Sequence, residues 1–432
     1  MNKLISILIA LIFLNNCSFN EDSKIWKNKE KNFSQKENNK KIFADEKYDV
    51  AEFNKGLKLN LSNIKTNNKI YDNKNNLSSQ TYDGNLNKIG NYKFSKFDEV
   101  DNLNFEPIFL LDGVIFFDKK GTIIKYDSNN KVFWKKNYYS KPEKKLKPKL
   151  NFVLKDETII VSDNIAKYYS INLENGELNW LKNNIYPFNS NIKTYKNKFF
   201  LVDYKNTLRC FNIEDGSECW NLQTEDSFTI SNSKHSLVII DELVVFSNSV
   251  GDITAVDIVS GLITWQLPTQ SSNIINETYN FKNSKLVSDG NAIFFSNNKN
   301  EMYSVDAKTG VVNWINNLNS NIRPVIVGNL IFTVSNEGYF YVIEKKNGNV
   351  IRVTDLFINY KIKKRKDIQP IGFAINDKNL YLTNSDGKMI VSDLSDGSVI
   401  KIQKVANGLV SEPYIYDNNL FIVRNGSIIK YN

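Results

Sequence analysis

The chain has 432 residues, of which 41% are hydrophobic and 12% aromatic, so it can bury a large core and does not have the composition of a disordered protein. Its net charge is +9, but lysine and asparagine are abundant along the whole chain, so the excess alone does not indicate a nucleic-acid partner. Three cysteines exclude a disulfide framework, and a single histidine disfavours an imidazole zinc site.

The N-terminus has the pattern of an export signal. Residues 1–3 include a lysine, and the apolar run 4–14 has the length of a signal-peptide core, too short to span a bilayer. The following Asn15-Asn16-Cys17, with Leu14, resembles the bacterial lipobox, although Asn16 stands where a smaller residue is usual. The resemblance implies lipidation of Cys17, and Ser18 behind it implies the outer membrane of a Gram-negative bacterium, on the periplasmic face. The alternatives are an ordinary signal peptide and an uncleaved anchor, each with an incidental cysteine.

A polar region separates this signal, residues 1–17, from the folded body. Residues 18–90 mix lysines, acidic residues and asparagines with few apolar clusters. Such a composition buries too little apolar area to offset the entropy of ordering. We therefore expect 18–90 to be a flexible tether, with a short helix near residues 46–53.

Residues 91–432 carry a repeat in which a turn glycine is followed four positions later by tryptophan. The four copies are Gly176 with Trp180, Gly216 with Trp220, Gly261 with Trp265, and Gly310 with Trp314. Each copy ends a unit of four short apolar runs separated by turn residues, which predicts a four-stranded antiparallel propeller blade. Seven such units span 105–137, 151–184, 191–223, 235–269, 284–318, 322–356 and 368–404.

The end of the chain predicts an eighth blade. After Glu412 only three strand-like runs remain, and a blade without its outermost strand would leave an open edge. Residues 92–97 alternate like a strand and can supply the missing one. The predicted fold is therefore an all-β, eight-bladed β-propeller whose last blade is closed by an N-terminal strand.

The repeat resembles the tryptophan-docking motif of propellers of the pyrroloquinoline-quinone (PQQ) type. Four copies are Ala255, Asp257, Ser260, Gly261, Trp265; Ser304, Asp306, Thr309, Gly310, Trp314; Ser170, Asn172, Asn175, Gly176, Trp180; and Cys210, Asn212, Asp215, Gly216, Trp220. The resemblance implies that each indole stacks between blades while Asp257 or Asp306 caps the turn. The motif is incomplete elsewhere: Trp134 follows Asn130 instead of glycine, and Arg352 and Lys401 replace tryptophan, so we expect those two positions to tolerate substitution.

The export signal and the eight repeats together resemble the BamB family, lipoproteins of outer-membrane β-barrel assembly. The resemblance implies a scaffold without catalytic activity or cofactor that binds the periplasmic domains of BamA and other barrel-assembly subunits, with unfolded outer-membrane proteins as further partners. Nucleic acid is excluded by export. Fold alone does not decide function, so a quinone-dependent dehydrogenase and a polysaccharide-binding propeller are the alternatives.

Few residues suit the enzyme alternative. Quinone-dependent dehydrogenases of this type have adjacent cysteines, whereas Cys210 and Cys219 lie on two arms of one hairpin. Strand alternation places these two thiols on opposite faces, so we expect both to be free. His235 is expected at the surface, at the start of a blade, and no catalytic triad or metal site is predicted.

Two basic connectors are candidate partner-binding loops. Residues 141–149 between the first two blades include Lys144, Lys145 and Lys147. Residues 361–366 between the sixth and seventh blades include Lys363, Lys364 and Arg365. All such connectors emerge on one face of a propeller, so both clusters are expected to share a basic surface that meets acidic protein domains or lipid headgroups. Solvated loops of a lysine-rich protein are the alternative.

Overall fold

A computed structural model describes residues 51–59, 74–78, 81–98, 105–225, 234–269 and 281–432. Cys17, the signal segment and residues 46–50 of the predicted helix lie outside the described residues. Every described residue belongs to one unit of the chain, Val50–Asn432.

Strand β1 (Lys88–Lys93) precedes seven antiparallel sheets that follow one another along the chain, and each sheet is one blade. Blade 1 consists of β2 (Ile108–Leu110), β3 (Gly113–Phe117), β4 (Ile123–Asp127) and β5 (Val132–Lys136). Blade 2 consists of β6 (Leu150–Lys155), β7 (Thr158–Asp163), β8 (Lys167–Asn172) and β9 (Leu178–Asn183). Blade 3 consists of β10 (Lys193–Tyr195), β11 (Lys198–Val202), β12 (Thr207–Asn212) and β13 (Glu218–Gln223). Blade 4 consists of β14 (Leu237–Ile240), β15 (Leu243–Ser247), β16 (Ile253–Asp257) and β17 (Ile263–Leu267).

The remaining blades have the same plan. Blade 5 consists of β18 (Val287–Ser288), β19 (Ala292–Ser296), β20 (Glu301–Asp306) and β21 (Val312–Asn317). Blade 6 consists of β22 (Val325–Val327), β23 (Leu330–Val334), β24 (Tyr339–Glu344) and β25 (Val350–Asp355). Blade 7 consists of β26 (Pro370–Ile375), β27 (Asn379–Asn384), β28 (Lys388–Asp393) and β29 (Val399–Lys404). The last three strands are β30 (Tyr414–Tyr416), β31 (Asn419–Arg424) and β32 (Ser427–Tyr431).

Blade 8 joins the two ends of the described chain. Its strand order is β1-β32-β31-β30, so β1 occupies the outermost position beside β32. The predicted eight-bladed propeller closed by an N-terminal strand is confirmed. The closing strand is Lys88–Lys93 and not 92–97, because Lys93 already faces Ser427, the first residue of β32, and no partner strand continues beyond it. Phe94 instead donates its N–H to the Gly426 carbonyl at 3.1 Å, in the turn before β32.

Burial follows the position of each strand within its blade. Gly113–Phe117, the second strand of blade 1, is buried at all five positions, whereas the outermost strand Val132–Lys136 is mostly exposed. Inner strands are covered by neighbouring blades on both faces and therefore read as continuous apolar runs, while outer strands are covered less. First strands of neighbouring blades, such as β10 and β14 or β14 and β18, contact each other, so they surround the propeller axis.

A β-bulge recurs between the third and fourth strands of blades 1–7. In blade 4 Ala255 faces Trp265, whereas Val256 faces Ile263, so the bulged strand has one extra residue. Each bulge lies next to the docking position of its blade, and in blades 1–6 the side chain at that position reaches the next blade.

Two short helices lie in connectors between blades. Helix α1 (Lys141–Lys145) begins with a capping box, in which Ser140 and Glu143 satisfy each other's backbone N–H groups. Helix α2 (Ile362–Arg365) lies between blades 6 and 7. No helix among the described residues is both long and apolar enough to cross a membrane.

Three described stretches of the region predicted to be a flexible tether pack on the propeller. We call them the edge segment (51–59), the axial segment (74–78) and the seam segment (81–87). In the edge segment, Phe53 and Val353 exchange two backbone hydrogen bonds of 3.1 and 2.9 Å, so Phe53 pairs with the outer strand of blade 6 instead of ending a helix. In the seam segment, Tyr82 and Leu86 are buried in the core between blades 7 and 8. These residues differ from the expected tether because the ring offers backbone, polar and apolar partners to them.

Candidate functional site

The docking tryptophans join each of blades 1–5 to the blade that follows it. Trp265 of blade 4 is buried, and its indole N–H donates to the Ala307 carbonyl of blade 5 at 3.1 Å. The other four docking tryptophans make the same bond to the following blade: Trp134 to Leu173 at 3.2 Å, Trp180 to Ile213 at 2.9 Å, Trp220 to Ile258 at 3.0 Å and Trp314 to Lys345 at 3.0 Å.

The turn glycine of the receiving blade lies against the indole. A Cβ atom on Gly310 would come within 2.7 Å of the Trp265 ring, and the φ angle of Gly310 is +73°. Gly176, Gly216 and Gly261 contact Trp134, Trp180 and Trp220 in the same way. Asp257 and Asp306 accept backbone N–H groups within their turns, at 2.7 Å from Ser260 and 2.9 Å from Thr309. The motif therefore works in pairs of blades, with the glycine serving the tryptophan of the preceding blade.

Blade 8 explains two departures from the motif. Its outermost strand comes from the N-terminus, so it has no turn on which a side chain of blade 7 could stack, and Lys401 at that place is exposed. The seam segment fills the gap instead, with Tyr82 packed edge-on against Tyr381. Asn130 replaces glycine in the turn of blade 1, where its side chain accepts the Asn91 N–H at 3.0 Å. Its φ of 64° is one that asparagine tolerates.

Arg352 is the third departure, and its surroundings lead us to revise the expectation that this position tolerates substitution. The side chain is fully buried, and it donates to the carbonyls of Leu394 at 3.1 Å and of Ser395 in blade 7. It also donates to the Leu57 carbonyl of the edge segment at 3.2 Å. Burial lowers the pKa of its guanidinium. Arg352 therefore performs the docking role of tryptophan and attaches the edge segment as well.

Ion pairs meet at the propeller axis. Lys285 before β18 pairs with Glu106 before β2, and with Glu412 before β30 at 2.7 Å. Arg323 before β22 pairs with the other oxygen of Glu412 at 3.0 Å. These residues belong to blades 1, 5, 6 and 8, so the cluster joins opposite sides of the ring. A charged residue two positions before a first strand recurs in all four blades, and this spacing is a signal that sequence reasoning missed.

The charges of this axial cluster support one another. Burial opposes the ionisation of Glu106, but Lys285 and Arg323 outweigh it and hold the pKa of the carboxyl below its usual range. Burial also opposes the charge of Lys285, yet Glu106 and Glu412 raise its pKa. Lys234 is next to this cluster, and burial lowers its pKa to about 8 despite the attraction of Glu106. Both carboxylates are thus committed to ion pairs.

The axial segment enters the same place. Asn76 is 2% exposed, and its side-chain amide donates to the carbonyls of Leu237 at 2.9 Å and Leu286 at 2.7 Å. Lys193 donates to the side-chain oxygen of Asn76. The chain's own residues therefore occupy this end of the axis, which no sequence motif indicated.

The candidate basic loops are in different local environments. Lys363 and Lys364 are exposed, whereas Arg365 pairs with Asp355 at 2.7 Å, next to Glu52 of the edge segment. In the other loop Lys145 is exposed, Lys144 is half-buried and Lys147 lies 3.8 Å from Asp98. Both loops connect a fourth strand to the next first strand, so both are on the connector face of the ring.

The expectation that Cys210 and Cys219 lie on opposite faces is wrong. The bulge between β12 and β13 inserts Cys219 between Glu218, which faces Phe211, and Trp220, which faces Cys210. Both cysteines consequently contact one apolar core, and the Cys219 thiol donates to the side-chain oxygen of Asn212 at 3.5 Å. The thiols are free, as expected, and burial raises the pKa of Cys210.

His235 is buried and not at the surface. It is 4% exposed, its backbone N–H donates to the Asn189 carbonyl at 2.8 Å, and burial lowers its pKa to about 4. Across the described ranges no group of three or more His, Cys, Asp or Glu side chains is placed to share a metal ion. A cleft of about 590 Å³ opens beside the closing strand, with Lys93, Lys96 and Arg424 in its lining.

Comparisons with known proteins match this architecture. A family model described as outer membrane protein assembly factor BamB matches residues 119–354, and no curated protein sequence matches the chain. BamB from Moraxella catarrhalis has a similar structure, with a TM-score of 0.65, 13% identity and coverage of 80% of this chain and 99% of that chain. The computationally designed protein Ika8 has a TM-score of 0.57, 13% identity and coverage of 79% and 99%. Quinohemoprotein alcohol dehydrogenase ADHIIG from Pseudomonas putida HK5 has a TM-score of 0.57, 10% identity and coverage of 82% and 78%. At these identities the structural matches establish the fold alone.

Proposed function

The chain belongs to the family of outer membrane protein assembly factor BamB, and from this membership we propose that it is a non-catalytic scaffold lipoprotein of outer-membrane β-barrel assembly. Lipidation of Cys17 would anchor it at the periplasmic face of the outer membrane. Its partners would be the periplasmic domains of BamA, other assembly subunits and unfolded outer-membrane proteins. The family match over more than half of the chain is the observation that carries this proposal.

Two features of the ring support a scaffold. Indoles and Arg352 connect neighbouring blades, and β1 closes the last blade, so the ring is a continuous body whose shape depends little on a partner. Ion pairs and the axial segment fill the connector-face end of the axis with the chain's own atoms. Because the axis is occupied at this end, the surfaces available there for binding partners are the connectors and the outer strands of the blades.

The connector between blades 6 and 7 is the partner surface that we propose. Lys363 and Lys364 are exposed there, and among the described residues the nearby acids Asp355 and Glu52 are engaged with Arg365 and the edge segment. Exposed charges at the rim of an interface mainly accelerate association with an oppositely charged partner. This loop is therefore suited to an acidic periplasmic domain.

The test is a charge reversal at this loop. The double variant Lys363→Glu/Lys364→Glu should bind purified BamA periplasmic domains more weakly, on the order of tenfold at low salt, with most of the loss in the association rate. The matched control is Lys401→Glu/Lys404→Glu on the exposed edge of blade 7, which changes the charge equally and should leave binding unchanged. Equal affinity of the loop variant and wild type at low salt would contradict the assigned surface.

A second measurement addresses the role itself. Affinity purification from solubilised outer membranes should recover barrel-assembly subunits with the wild-type chain. Quinone and calcium binding should be measured in parallel on the purified protein. Stoichiometric uptake of a quinone without recovery of assembly subunits would overturn the scaffold in favour of a dehydrogenase.

A further inference from the structure

The axial segment is bound to the propeller through its backbone as a peptide ligand would be. The carbonyl of Lys74 accepts the N–H of Ile239 in β14 at 3.0 Å, and the carbonyl of Asn75 accepts the N–H of Ser288 in β18 at 3.1 Å. Both donors lie on first strands, whose free edges face the axis. Residues 74–76 form a turn, and these main-chain bonds fix its position against the two strand edges without involving its side chains.

Asn76 supplies the side-chain recognition. Its amide nitrogen donates to two carbonyls, of Leu237 and Leu286, and its amide oxygen accepts from Lys193, so the site matches both ends of a carboxamide. Its φ of 58° is in the left-handed region, which asparagine adopts more readily than other residues except glycine. Side chain and backbone therefore both select asparagine here.

The cations around Asn76 are held in place by other groups. Arg323 donates to the backbone carbonyl of Asn76 at 3.4 Å while Glu412 fixes its other nitrogen at 3.0 Å. Lys285 fixes the second oxygen of Glu412 at 2.7 Å. A donor that is already oriented loses little entropy when a ligand arrives, which is the usual property of a built binding site.

The ring does not need the axial segment for its sheets. All eight blades have four strands without any residue from 74–78, and closure of the ring is made by β1. Loss of the segment would expose donors and acceptors at the axis but would leave every sheet intact. The segment thus has the position of a ligand supplied in cis.

We infer that the connector-face end of the axis is a peptide-binding site, specific for a turn segment that presents asparagine, which residues 74–78 occupy in cis and which accepts an equivalent segment in trans when they are displaced. A covalently attached ligand acts at an effective concentration on the order of millimolar. A free peptide should therefore bind measurably only when the resident segment is weakened. The inference does not depend on the role in outer-membrane assembly.

The experiment uses the full chain and a fluorescent peptide of residues 70–80. Asn76→Gly removes the carboxamide but keeps the left-handed backbone without strain. The peptide should bind the Asn76→Gly protein at least tenfold more tightly than wild type, by fluorescence anisotropy. A peptide in which Asn76 is alanine should bind neither protein. Asn85→Gly, at an exposed asparagine of the seam segment, is the matched control and should behave as wild type.

Hydrogen exchange provides an independent measurement. The amides of Ile239 and Ser288 should exchange at least tenfold faster in Asn76→Gly than in wild type, and saturating peptide should restore their protection. The inference is overturned if the peptide binds both proteins equally or binds neither, or if the two amides exchange at the wild-type rate in the variant. The protection of all amides is measured first in the wild-type protein. A variant that misfolds would lose protection in every blade and not only at Ile239 and Ser288. In that case Asn76→Ser replaces Asn76→Gly.

Discussion

Replacement of Arg352 by alanine should destabilise the propeller strongly. A basic residue on the exposed face of an outer strand could be replaced at little cost, but Arg352 is not exposed. The guanidinium is fully buried and donates to the carbonyls of Leu57, Leu394 and Ser395. Its Cζ atom also lies 5.8 Å from the centre of the Phe340 ring. The substitution removes a side chain that connects blade 6 both to the turn of blade 7 and to the edge segment.

The expected loss in the free energy of unfolding on Arg352→Ala is the difference between two opposing contributions. Hydrogen bonds from a charged donor contribute about 1.5–3 kcal/mol each, so three of them amount to roughly 4–9 kcal/mol. Removing a buried charge returns several kcal/mol of desolvation free energy. The net loss is therefore about 2–4 kcal/mol. With an unfolding entropy of about 2.1 cal/mol/K per residue over roughly 380 residues of Val50–Asn432, this corresponds to a decrease in Tm of about 3–5 °C.

Urea denaturation followed by tryptophan fluorescence measures this loss. Arg352→Lys should be intermediate, because it keeps the charge but cannot reach three carbonyls from a planar fork. Lys401→Ala, at the exposed equivalent position of blade 7, should stay within about 0.5 kcal/mol of wild type. If Arg352→Ala unfolds at the same urea concentration as Lys401→Ala, Arg352 does not dock blade 7 and our account of the substituted motif is incorrect.

Trp265→Ala removes a buried indole and its bond to Ala307, and it should lower the free energy of unfolding by about 3–5 kcal/mol in the same urea assay; an unaltered denaturation curve would contradict the docking role. His235 gives a pH dependence: its pKa is about 4 when folded against 6.5 when unfolded, so the unfolded chain takes up the proton first as the pH falls. Stability should thus be full above pH 6.5 and decrease by about 3 kcal/mol on going to pH 4, since a pKa difference of 1 corresponds to about 1.36 kcal/mol. The variant His235→Gln should lack this contribution, and parallel stability curves for variant and wild type between pH 7 and 4 would show that His235 is not buried neutral.

The number of blades and their closure could be predicted from the sequence because both depend on local patterns. Turn glycines such as Gly261 and Gly310 need a left-handed backbone, and short apolar runs between turns form antiparallel strands wherever they occur. The sequence after Glu412 contains only three strand-like runs, so blade 8 needs a fourth strand from elsewhere, and β1 supplies it. Its bounds were misplaced by four residues because the limit is set by Ser427, which is far away in sequence.

The candidate site could be predicted only in part, since its residues are brought together by the ring. Cys219 was assigned to the wrong face because alternation fails at a bulge, and the bulge is set by pairing with β12. Polarity suggested that Arg352 and His235 would be exposed, but neighbouring blades cover both. Composition predicts a tether for residues 51–59 and 74–78, but partners far away in the chain hold both segments. Phe53 pairs with Val353, 300 positions away, and Asn76 with Leu286, 210 positions away.

The sequence by itself determined the repeat, because the spacing of glycine and tryptophan, the turn chemistry and the apolar runs act within a few residues of one another. Only the tertiary structure decided what fills the axis and the seams. Glu106, Lys285 and Glu412 are distant in the chain, and their charges meet only when eight blades close a circle. Desolvation and Coulomb attraction depend on that closed geometry, so no local pattern could specify them.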